Sequence, residues 1–475
     1  MTIQTMYELN VLTRRQFLSR CAGCSAAAAC LGINFPTLSA AADPPASDKV
    51  RVRLVYSHIS PEKPTWPNRG YDYESRKKEL TAKLQQACPY AEFLPVTVQN
   101  SDEAKKVLEA DREVDGYLVY MVGLWTGAPR TIAASGKPTI FVDDLYSGSG
   151  EFLIEYAAAK RQGLRVAGVS SSRFQDVADA VKTLDCLKRL RSSVIVDITA
   201  RDPGETGKAI QQVFGTPVHQ VSAEEVTEAF NQASPAGAKD RARQWIQDAE
   251  RVVEPSTAEI EKSAAMYMAL ESVLEKNRSQ AVTIDCLSLL YGGKLPAYPC
   301  LGLFQLNNDG KVGACEADLR STVTMLLMTY LTGRPGYISD PVVDTARNQI
   351  IYAHCVSTNK VFGPTGPANP YHIRNHSEDR KGAVVRSLMP LGEMTTTLEF
   401  DPVRKEVVMH QARTVANVDE DRACRTKLAA EVPDAQKLLS EWDRWGWHRV
   451  TFYGDWKRQV ENVAALTGFK ITYEG

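Results

Sequence analysis

Strand-like and helix-like segments alternate along the first part of this chain, and this alternation constrains the fold most. Apolar runs rich in β-branched residues occur at "VRVRLVY" (50–56), "VDGYLVYMVG" (114–123) and "KPTIFVDD" (137–144), with helix-patterned segments between them. Parallel neighbouring strands need a long crossover, usually a helix. Residues 50–163 are therefore predicted to form a doubly wound, Rossmann-like α/β domain.

A second alternation follows over residues 164–298. "RVAGVS" (165–170) and "SSVIVDI" (192–198) have strand patterns and flank a helical segment, and "QAVTIDCLSLL" (280–290) is predicted to be a further buried strand. Several helix-patterned segments lie between 204 and 277. The pattern predicts a second Rossmann-like α/β domain beside the first.

The pattern changes after residue 299, where short alternating segments and turn signals replace the long helices. Such segments include "NQIIYAHCVS", "YHIRNHSE", "GEMTTTLEFDP" and "KEVVMHQARTV". Close spacing of this kind favours an antiparallel β-barrel-like domain over residues 299–475. One strong helix pattern, "ADLRSTVTMLLMTYLTG" (317–333), interrupts it.

The N-terminal segment is predicted to be a targeting signal. "LTRRQFLSR" (12–20) places two arginines before a weakly apolar, small-residue stretch and the sequence "LSAAADPP". This resembles a twin-arginine signal peptide over residues 1–42, followed by a linker at 43–49. A retained amphipathic helix or anchor is the alternative, and Cys30 leaves lipid attachment open. We expect a periplasmic or other extracytoplasmic location without stable membrane insertion.

Charge and cysteine usage narrow the function classes. The net charge of −1 gives no electrostatic reason to expect nucleic acid as a partner. Beyond the predicted signal, seven dispersed cysteines remain, an odd number that does not indicate a disulfide framework.

Several ionisable residues lie in otherwise apolar segments and form a candidate site. Glu316 and Asp340 are carboxylates, and His354 and His448 are imidazoles. Each has an ordinary alternative: a helix-end acid, a turn before proline, a hydrogen-bonded core histidine, or a histidine packed among aromatic residues. Together they offer the oxygen and nitrogen donors that suit Mn²⁺ or Mg²⁺, whereas the cysteine spacings offer no tetrahedral sulfur site.

The segment 299–354 resembles the C-terminal half of the L-fucose isomerase and L-arabinose isomerase superfamily. The shared pattern is "CEADL", a helix, "TGRP", a second acid in "YISDP" and a strand ending in "AHC". The segment beginning "WHRVTFYGDW" resembles the family's C-terminal end. One departure is Ala317, where the family usually has glycine. The resemblance covers about residues 299–475 and is only architectural over 49–298.

The resemblance implies roles for the candidate residues. Glu316 and Asp340 would bind the metal and act near the proton-transfer steps, and His448 would be a third metal ligand. His354 matches a ligand of the arabinose branch only. The implied activity is a metal-dependent aldose–ketose isomerisation through a cis-enediol, with Mn²⁺ or another divalent cation such as Mg²⁺.

Candidate residues for binding the sugar lie in two other segments. Trp66, Asn68 and Asp72 lie in the loop after the first strand, where open α/β sheets bind ligands, but the loop also fits a rigid surface segment. His376 either faces the site or belongs to an exposed hairpin. The resemblance implies a homo-oligomer, in which the Trp66 loop would complete a neighbouring subunit's pocket.

Two other functions remain open at this point. One is an exported carbohydrate-binding protein of the same fold without turnover. The other is a metal-assisted lyase or aldolase that uses the same enediolate chemistry. A fold alone does not choose among them.

Overall fold

The computed structural model describes residues 49–475, which belong to one compact unit. The predicted export signal and the linker up to residue 48 lie outside the described residues. The predicted domain boundaries within 50–475 remain predictions. Across the described part of the chain, no helix combines the length and hydropathy needed to cross a membrane.

The first sheet confirms the α/β prediction for the N-terminal region. Its five strands are parallel and lie in the order β2-β1-β3-β4-β5. The strands are β1 (Val50–Ser57), β2 (Ala91–Val98), β3 (Gly116–Met121), β4 (Thr139–Asp143) and β5 (Val166–Val169). The helices are α1 (Tyr73–Ala87), α2 (Ser101–Ala110), α3 (Ala128–Ala133) and α4 (Ser149–Arg161). The strand order reverses between β1 and β3, as in doubly wound folds.

The second sheet is also parallel, with the order β10-β9-β6-β7. Its strands are β6 (Ile195–Ile198), β7 (Val218–Val221), β9 (Ala281–Ile284) and β10 (Val312–Cys315). The helices from this region are α5 (Phe174–Arg191), α6 (Gly204–Phe214), α7 (Ala223–Gln232), α8 (Pro235–Asp248), α9 (Thr257–Lys276), α10 (Cys286–Tyr291) and α11 (Cys300–Asn308). The fourth strand, β10, therefore comes from beyond residue 298.

The C-terminal region forms the predicted barrel-like sheet, here a partly closed ring. Six strands follow one another in the order β15-β18-β11-β12-β17-β16, and β16 pairs back onto β15. They are β11 (Tyr337–Asp344), β12 (Gln349–His354), β15 (Met394–Asp401), β16 (Glu406–Asn417), β17 (Thr426–Glu431) and β18 (Arg449–Tyr453). β19 (Lys470–Tyr473) adds to β16 in parallel.

The remaining elements connect the ring to the α/β regions. β13 (Tyr371–Arg374) pairs with β14 (Val384–Ser387) and also with the short β8 (Arg251–Val252). α12 (Leu319–Thr332) is buried along most of its length, and Asp318 caps its N-terminus. α13 (Ala435–Glu441), a 3₁₀ turn (Trp442–Trp445) and α14 (Lys457–Thr467) complete the described chain.

One local prediction was wrong, and two of the alternatives left open above do not hold. The apolar run after Asp285 forms the helix α10 instead of continuing the strand β9, because a short apolar run does not distinguish the two. The segment around β13 is not an exposed hairpin: His372 and His376 are both buried. Asp340 does not sit in a turn but within β11, which continues through Pro341.

A buried polar network ties the C-terminal residues to the ring. Glu474 accepts hydrogen bonds from Arg449, with Nε to Oε1 at 3.1 Å and Nη2 to Oε2 at 3.1 Å. Nδ1 of His410 lies 2.9 Å from Oε1 of Glu474, and its Nε2 lies 2.6 Å from the hydroxyl of Tyr352. All four residues are buried, so each charge depends on its partner.

The cysteines agree with the sequence expectation. All seven cysteines within residues 49–475 are unpaired, and six of them are buried. Buried free cysteines behave as small apolar side chains, so they contribute to packing here.

Candidate metal centre

The four ionisable residues that the sequence singled out lie together. One donor atom from each lies within 4.8 Å of all the others, which makes the four a possible metal-binding group. Glu316 follows the end of β10, whereas Asp340 and His354 lie on the paired strands β11 and β12 and His448 directly precedes β18. Strand pairing of Ser339 with Arg449 brings His448 beside Asp340. The centre thus lies where the second sheet meets one rim of the ring.

A tight turn directs Glu316 into this centre. Glu316 and Ala317 have φ values of 65° and 51°, a left-handed conformation that is uncommon for residues other than glycine. The turn is held because the Ala317 amide donates to the carbonyl of Ile284 at 3.1 Å. Glycine at position 317, the usual residue of the resembled pattern, would adopt this φ without the steric cost.

His448 is oriented by a carboxylate behind it. Its Nδ1 lies 2.9 Å from Oδ2 of Asp318, while its Nε2 lies 3.2 Å from Oδ1 of Asp340 and 3.4 Å from Oε2 of Glu316. Burial opposes charge on the imidazole, but the hydrogen bond with Asp318 and the nearby carboxylates of Asp340 and Glu316 raise the pKa of His448 to about 12. Burial likewise opposes charge on Asp318, yet the hydrogen bond with His448 lowers the pKa of Asp318 to about 2. The surrounding carboxylates therefore favour a cation at this point.

Asp340 is held ionised and fixed in position. The indole Nε1 of Trp447 donates to its Oδ1 at 2.7 Å, and the Cys424 thiol lies 3.5 Å from its Oδ2. Burial opposes the carboxylate, but the nearby imidazoles of His448 and His354 lower the pKa of Asp340.

His354 has a different hydrogen-bonding pattern from His448. The backbone amide of Cys355 donates to its Nδ1 at 2.9 Å, so the proton of a neutral ring sits on Nε2. That Nε2 faces Oε1 of Glu316 at 3.9 Å. Since a protonated ring nitrogen has no lone pair for a metal, this geometry favours His354 as a hydrogen-bond donor over a fourth ligand.

The residues fit a hard divalent cation. Nε2 of His448 is buried and makes no hydrogen bond, and two carboxylates converge on the same point. With Nδ1 donating to Asp318, Nε2 presents its lone pair to a cation that displaces the Nε2 proton. Two carboxylates and one imidazole suit Mn²⁺ or Mg²⁺ better than a soft metal.

A cavity of about 380 Å³ opens beside the centre. It lies at the carboxyl ends of the second sheet's strands, where ligands bind in open α/β sheets. Its walls include Glu316, Asp318, Arg320 and His448 on one side and Asp197, Thr199, Arg201 and Thr206 on the other.

The four predicted sugar-contacting residues do not line this cavity. Trp66 is half exposed in the loop after β1, and Asn68 donates to the neighbouring carbonyl of Arg69. Asp72 caps the N-terminus of α1. His376 is buried beside Asp379, with Nδ1 3.5 Å from Oδ1 of that residue. Their role in binding sugar stays a prediction.

Sequence reasoning missed three residues that shape the site. Asp318 orients His448, Trp447 holds Asp340, and Asp197 lines the cavity. Asp318 carried a signal, since it follows Glu316 by two residues, but it also fits a helix cap and does cap α12. Trp447 directly precedes His448, and no local pattern marks Asp197.

Asp318→Asn is expected to weaken metal binding by roughly 10- to 100-fold, because the partner that orients a ligating histidine is altered. Asparagine is as good a helix cap as aspartate, so α12 should be retained. Isothermal titration calorimetry of the metal-free protein measures the change in metal affinity. Asp434→Asn, at the cap of α13, is the matched control and should leave metal affinity unchanged. Equal affinities in all three proteins would exclude this role for Asp318.

Fold and site together define a class: a mixed α/β protein with two parallel sheets, a partly closed antiparallel ring and a carboxylate–histidine centre at its rim. Comparison with known proteins finds relatives over part of the chain. The chain is similar to a sulfoquinovose isomerase of Alkalicoccus urumqiensis, with 26% identity over 185 residues, which is 37% of this chain and 40% of the relative. A sulfoquinovose isomerase of Priestia aryabhattai is 23% identical over 190 residues, again 37% and 40% of the two chains.

The chain thus spans about two fifths of the length of these curated relatives. A shorter match, to a sulfoquinovose isomerase of Clostridium sp. (strain MSTE9), is 33% identical over 94 residues, 19% of this chain and 20% of the relative. No protein-family model matches the chain.

One solved structure, D-threo-3-hydroxyaspartate dehydratase from Delftia sp. HT23, aligns at 10% identity with a TM-score of 0.13. The alignment covers 85% of this chain and 95% of that one. A score this low carries no inference about fold or function.

Proposed function

We propose that this protein is a metal-dependent aldose–ketose isomerase that acts on a carbohydrate through a cis-enediol. The observation that carries the proposal is the convergence of Glu316, Asp340 and His448 on one point, with His448 oriented by Asp318. The similarity to proteins named sulfoquinovose isomerase supports the same reaction class.

The proposed metal site uses Glu316, Asp340 and His448 as ligands. Mn²⁺ or Mg²⁺ bound there would polarise the sugar carbonyl and offset the negative charge that develops on neighbouring oxygens. Asp340 suits the ligand role because its lowered pKa keeps it ionised and Trp447 fixes its orientation.

Glu316 is the proposed proton carrier. Its nearest ring nitrogens lie 3.4 and 3.9 Å away, so no short ion pair immobilises its carboxylate. It would remove the proton from the carbon next to the carbonyl and return it to the former carbonyl carbon, with Asp340 as the second carboxylate beside this transfer. The proton of the neighbouring hydroxyl group would pass to the former carbonyl oxygen in the same isomerisation. His354 would donate a hydrogen bond from Nε2 to the reacting oxygen, which balances charge during the transfer.

The test is proton exchange with solvent. Purified protein with Mn²⁺ is incubated in D₂O with a panel of pentoses, hexoses, deoxy-sugars and sulfoquinovose, and NMR follows deuterium at the carbon next to the carbonyl. The isomerase proposal expects exchange and a ketose product with at least one sugar, and none after chelation. Binding without exchange would indicate a carbohydrate-binding protein, and carbon–carbon cleavage products would indicate a lyase or aldolase. Either result would overturn the proposal.

We also propose a homo-oligomer in which the Trp66 loop completes the pocket of a neighbouring subunit. Exposed aromatic residues occur in the loops after β1, β3 and β4 at one edge of the first sheet: Trp66, Trp125 and Tyr146. Large exposed aromatics are enriched at binding surfaces. Trp66→Ala is expected to raise the Kd for sugar by roughly tenfold, because truncating an aromatic contact commonly costs more than about 1 kcal/mol.

Light scattering and sugar titration check this prediction together. An active monomer at micromolar concentration would contradict the oligomer. An unchanged Kd in Trp66→Ala would contradict the role of the loop. Trp447 is no substitute control because it contacts Asp340, so Tyr473→Ala, on the exposed last strand β19, serves as the matched aromatic truncation.

A further inference from the structure

Asp197 is a buried acid with an unpaired carboxyl oxygen among the described residues. It is the third residue of β6 and is 2% exposed. No described residue donates a hydrogen bond to its Oδ1. Burial raises the pKa of Asp197 to about 7. The positive charge of Arg201 opposes this shift, and the negative charge of Asp285 adds to it.

Another buried aspartate in the same chain shows how unusual this is. Asp111 is 6% exposed, and both of its carboxylate oxygens accept hydrogen bonds from Arg53. Buried polar groups are nearly always satisfied in this way, since burying one without a partner carries a substantial desolvation cost. An unsatisfied carboxyl group therefore calls for a ligand or a functional role.

The cavity beside the metal centre supplies the place for such a ligand. Asp197 lines this cavity of about 380 Å³ together with Glu316 and His448. Its volume lies near the lower end of small-molecule sites, roughly 300–1,000 Å³. A ligand that reaches the metal centre through this cavity therefore passes the carboxyl group of Asp197.

We propose that Asp197 binds a hydroxyl group of the sugar, beyond the two carbons that react at Glu316 and His448. This inference rests on the proposed isomerase function and names the feature of the substrate that the site selects. A hydroxyl group can donate to the carboxylate or accept from the neutral acid, so it satisfies Asp197 in either protonation state. Sugars that lack this hydroxyl leave the buried acid unpaired and are rejected.

The variants Asp197→Ala and Asp197→Asn test this role, with Asp111→Asn as the matched control for loss of a buried acid. Asp197→Ala is expected to raise the KM or Kd for the preferred sugar roughly 10- to 100-fold with a small change in kcat. Its melting temperature should not fall, because the removed group had no partner to lose. Asp197→Asn, which keeps a polar contact, should lie between wild type and Asp197→Ala.

The control separates binding from folding. Asp111→Asn should lower the melting temperature and leave KM unchanged, since it breaks the ion pair with Arg53 far from any role assigned above. A second readout uses substrates: a deoxy-sugar lacking the recognised hydroxyl should bind wild type as weakly as the parent sugar binds Asp197→Ala. An unchanged KM in Asp197→Ala, or a melting temperature lowered as in Asp111→Asn, overturns the proposal.

The two proposals can fail separately. If wild type binds a sugar without exchanging its proton, the isomerase function fails, and the Kd of Asp197→Ala still tests the contact. If wild type isomerises a sugar and Asp197→Ala does so with the same KM, only the contact fails. If no sugar of the panel binds in the presence of Mn²⁺, both are overturned.

Discussion

Replacing Glu316 with glutamine is expected to lower the rate of proton exchange into the preferred sugar by roughly 10²- to 10⁴-fold, the usual worth of a positioned acid–base group. Glutamine keeps the length and shape of the side chain but can neither take up the proton nor offer an anionic oxygen. Metal affinity should fall in the same variant, because one of two carboxylates is lost from the centre. Exchange measured by NMR and metal content measured by elemental analysis report the two effects separately.

Glu431→Gln is the matched control, because Glu431 is an exposed glutamate at the end of β17. It should leave both exchange and metal content at the wild-type level. Glu316→Gln with full metal content and unaltered exchange would rule out both roles of Glu316. Lost exchange with full metal content would keep the proton-transfer role and remove the ligand role.

The second large effect concerns stability. Glu474→Ala is expected to lower the free energy of unfolding by about 3–5 kcal/mol, the typical cost of removing one partner of a buried ion pair. The variant leaves the guanidinium of Arg449, which is fully buried, without its carboxylate, and His410 loses the same partner. Urea denaturation followed by circular dichroism measures the difference.

Glu420→Ala provides the comparison for Glu474→Ala. Glu420 pairs with Arg422 at 2.8 Å on the surface, where ion pairs contribute about 0–1 kcal/mol. If both variants lose the same small amount, the buried network does not stabilise the ring.

Glu474→Ala should also disturb the metal centre, since Arg449 donates from Nη1 to the carbonyl of His448 at 2.8 Å. Weaker metal binding in the folded variant would show this link, and unchanged metal binding would limit the network to stability.

Local patterns in the sequence predicted strands correctly where burial and residue preference both favour a strand along the whole element. The strands β1, β3 and β4 are apolar, β-branched and fully or largely buried, so burial and local preference agree. The edge strand β7 was not predicted, because only its last residue is buried and the apolar signal is weak. The helix α10 was predicted to be strand for the opposite reason, since all of its residues except Ser288 are apolar.

The pairing of β10 with β9 could not be derived from local patterns at all. β10 follows the helix α11, and the sequence pattern around β10 is that of the C-terminal region, although the strand pairs in the second α/β sheet. Strand order depends on contacts between residues far apart in the chain, and a single sequence does not display those contacts.

The residues of the candidate centre also fall into two groups, those that the sequence predicted and those that it did not. Glu316, Asp340 and His448 came from motifs that a resemblance made recognisable, and the structure brings them together. Their orienting partners came only from three-dimensional structure. Asp318 serves as helix cap and as partner of His448 at once, so its ordinary explanation was correct and incomplete. Asp197 lies in a plain buried strand, and only its missing hydrogen bond distinguishes it.

The position of β18 in the ring has a consequence for biosynthesis. β18 lies between β15 and β11, although the chain reaches it only after β17. A ribosome therefore completes both α/β sheets and five of the six ring strands before His448 and its strand emerge. Until then β18 is absent from its place between β15 and β11, and the carboxylates of Glu316 and Asp340 lack the imidazole of His448. N-terminal regions generally fold first during synthesis. At the proposed metal site, loading of a cation would thus be among the last steps of maturation, after translation has passed residue 453.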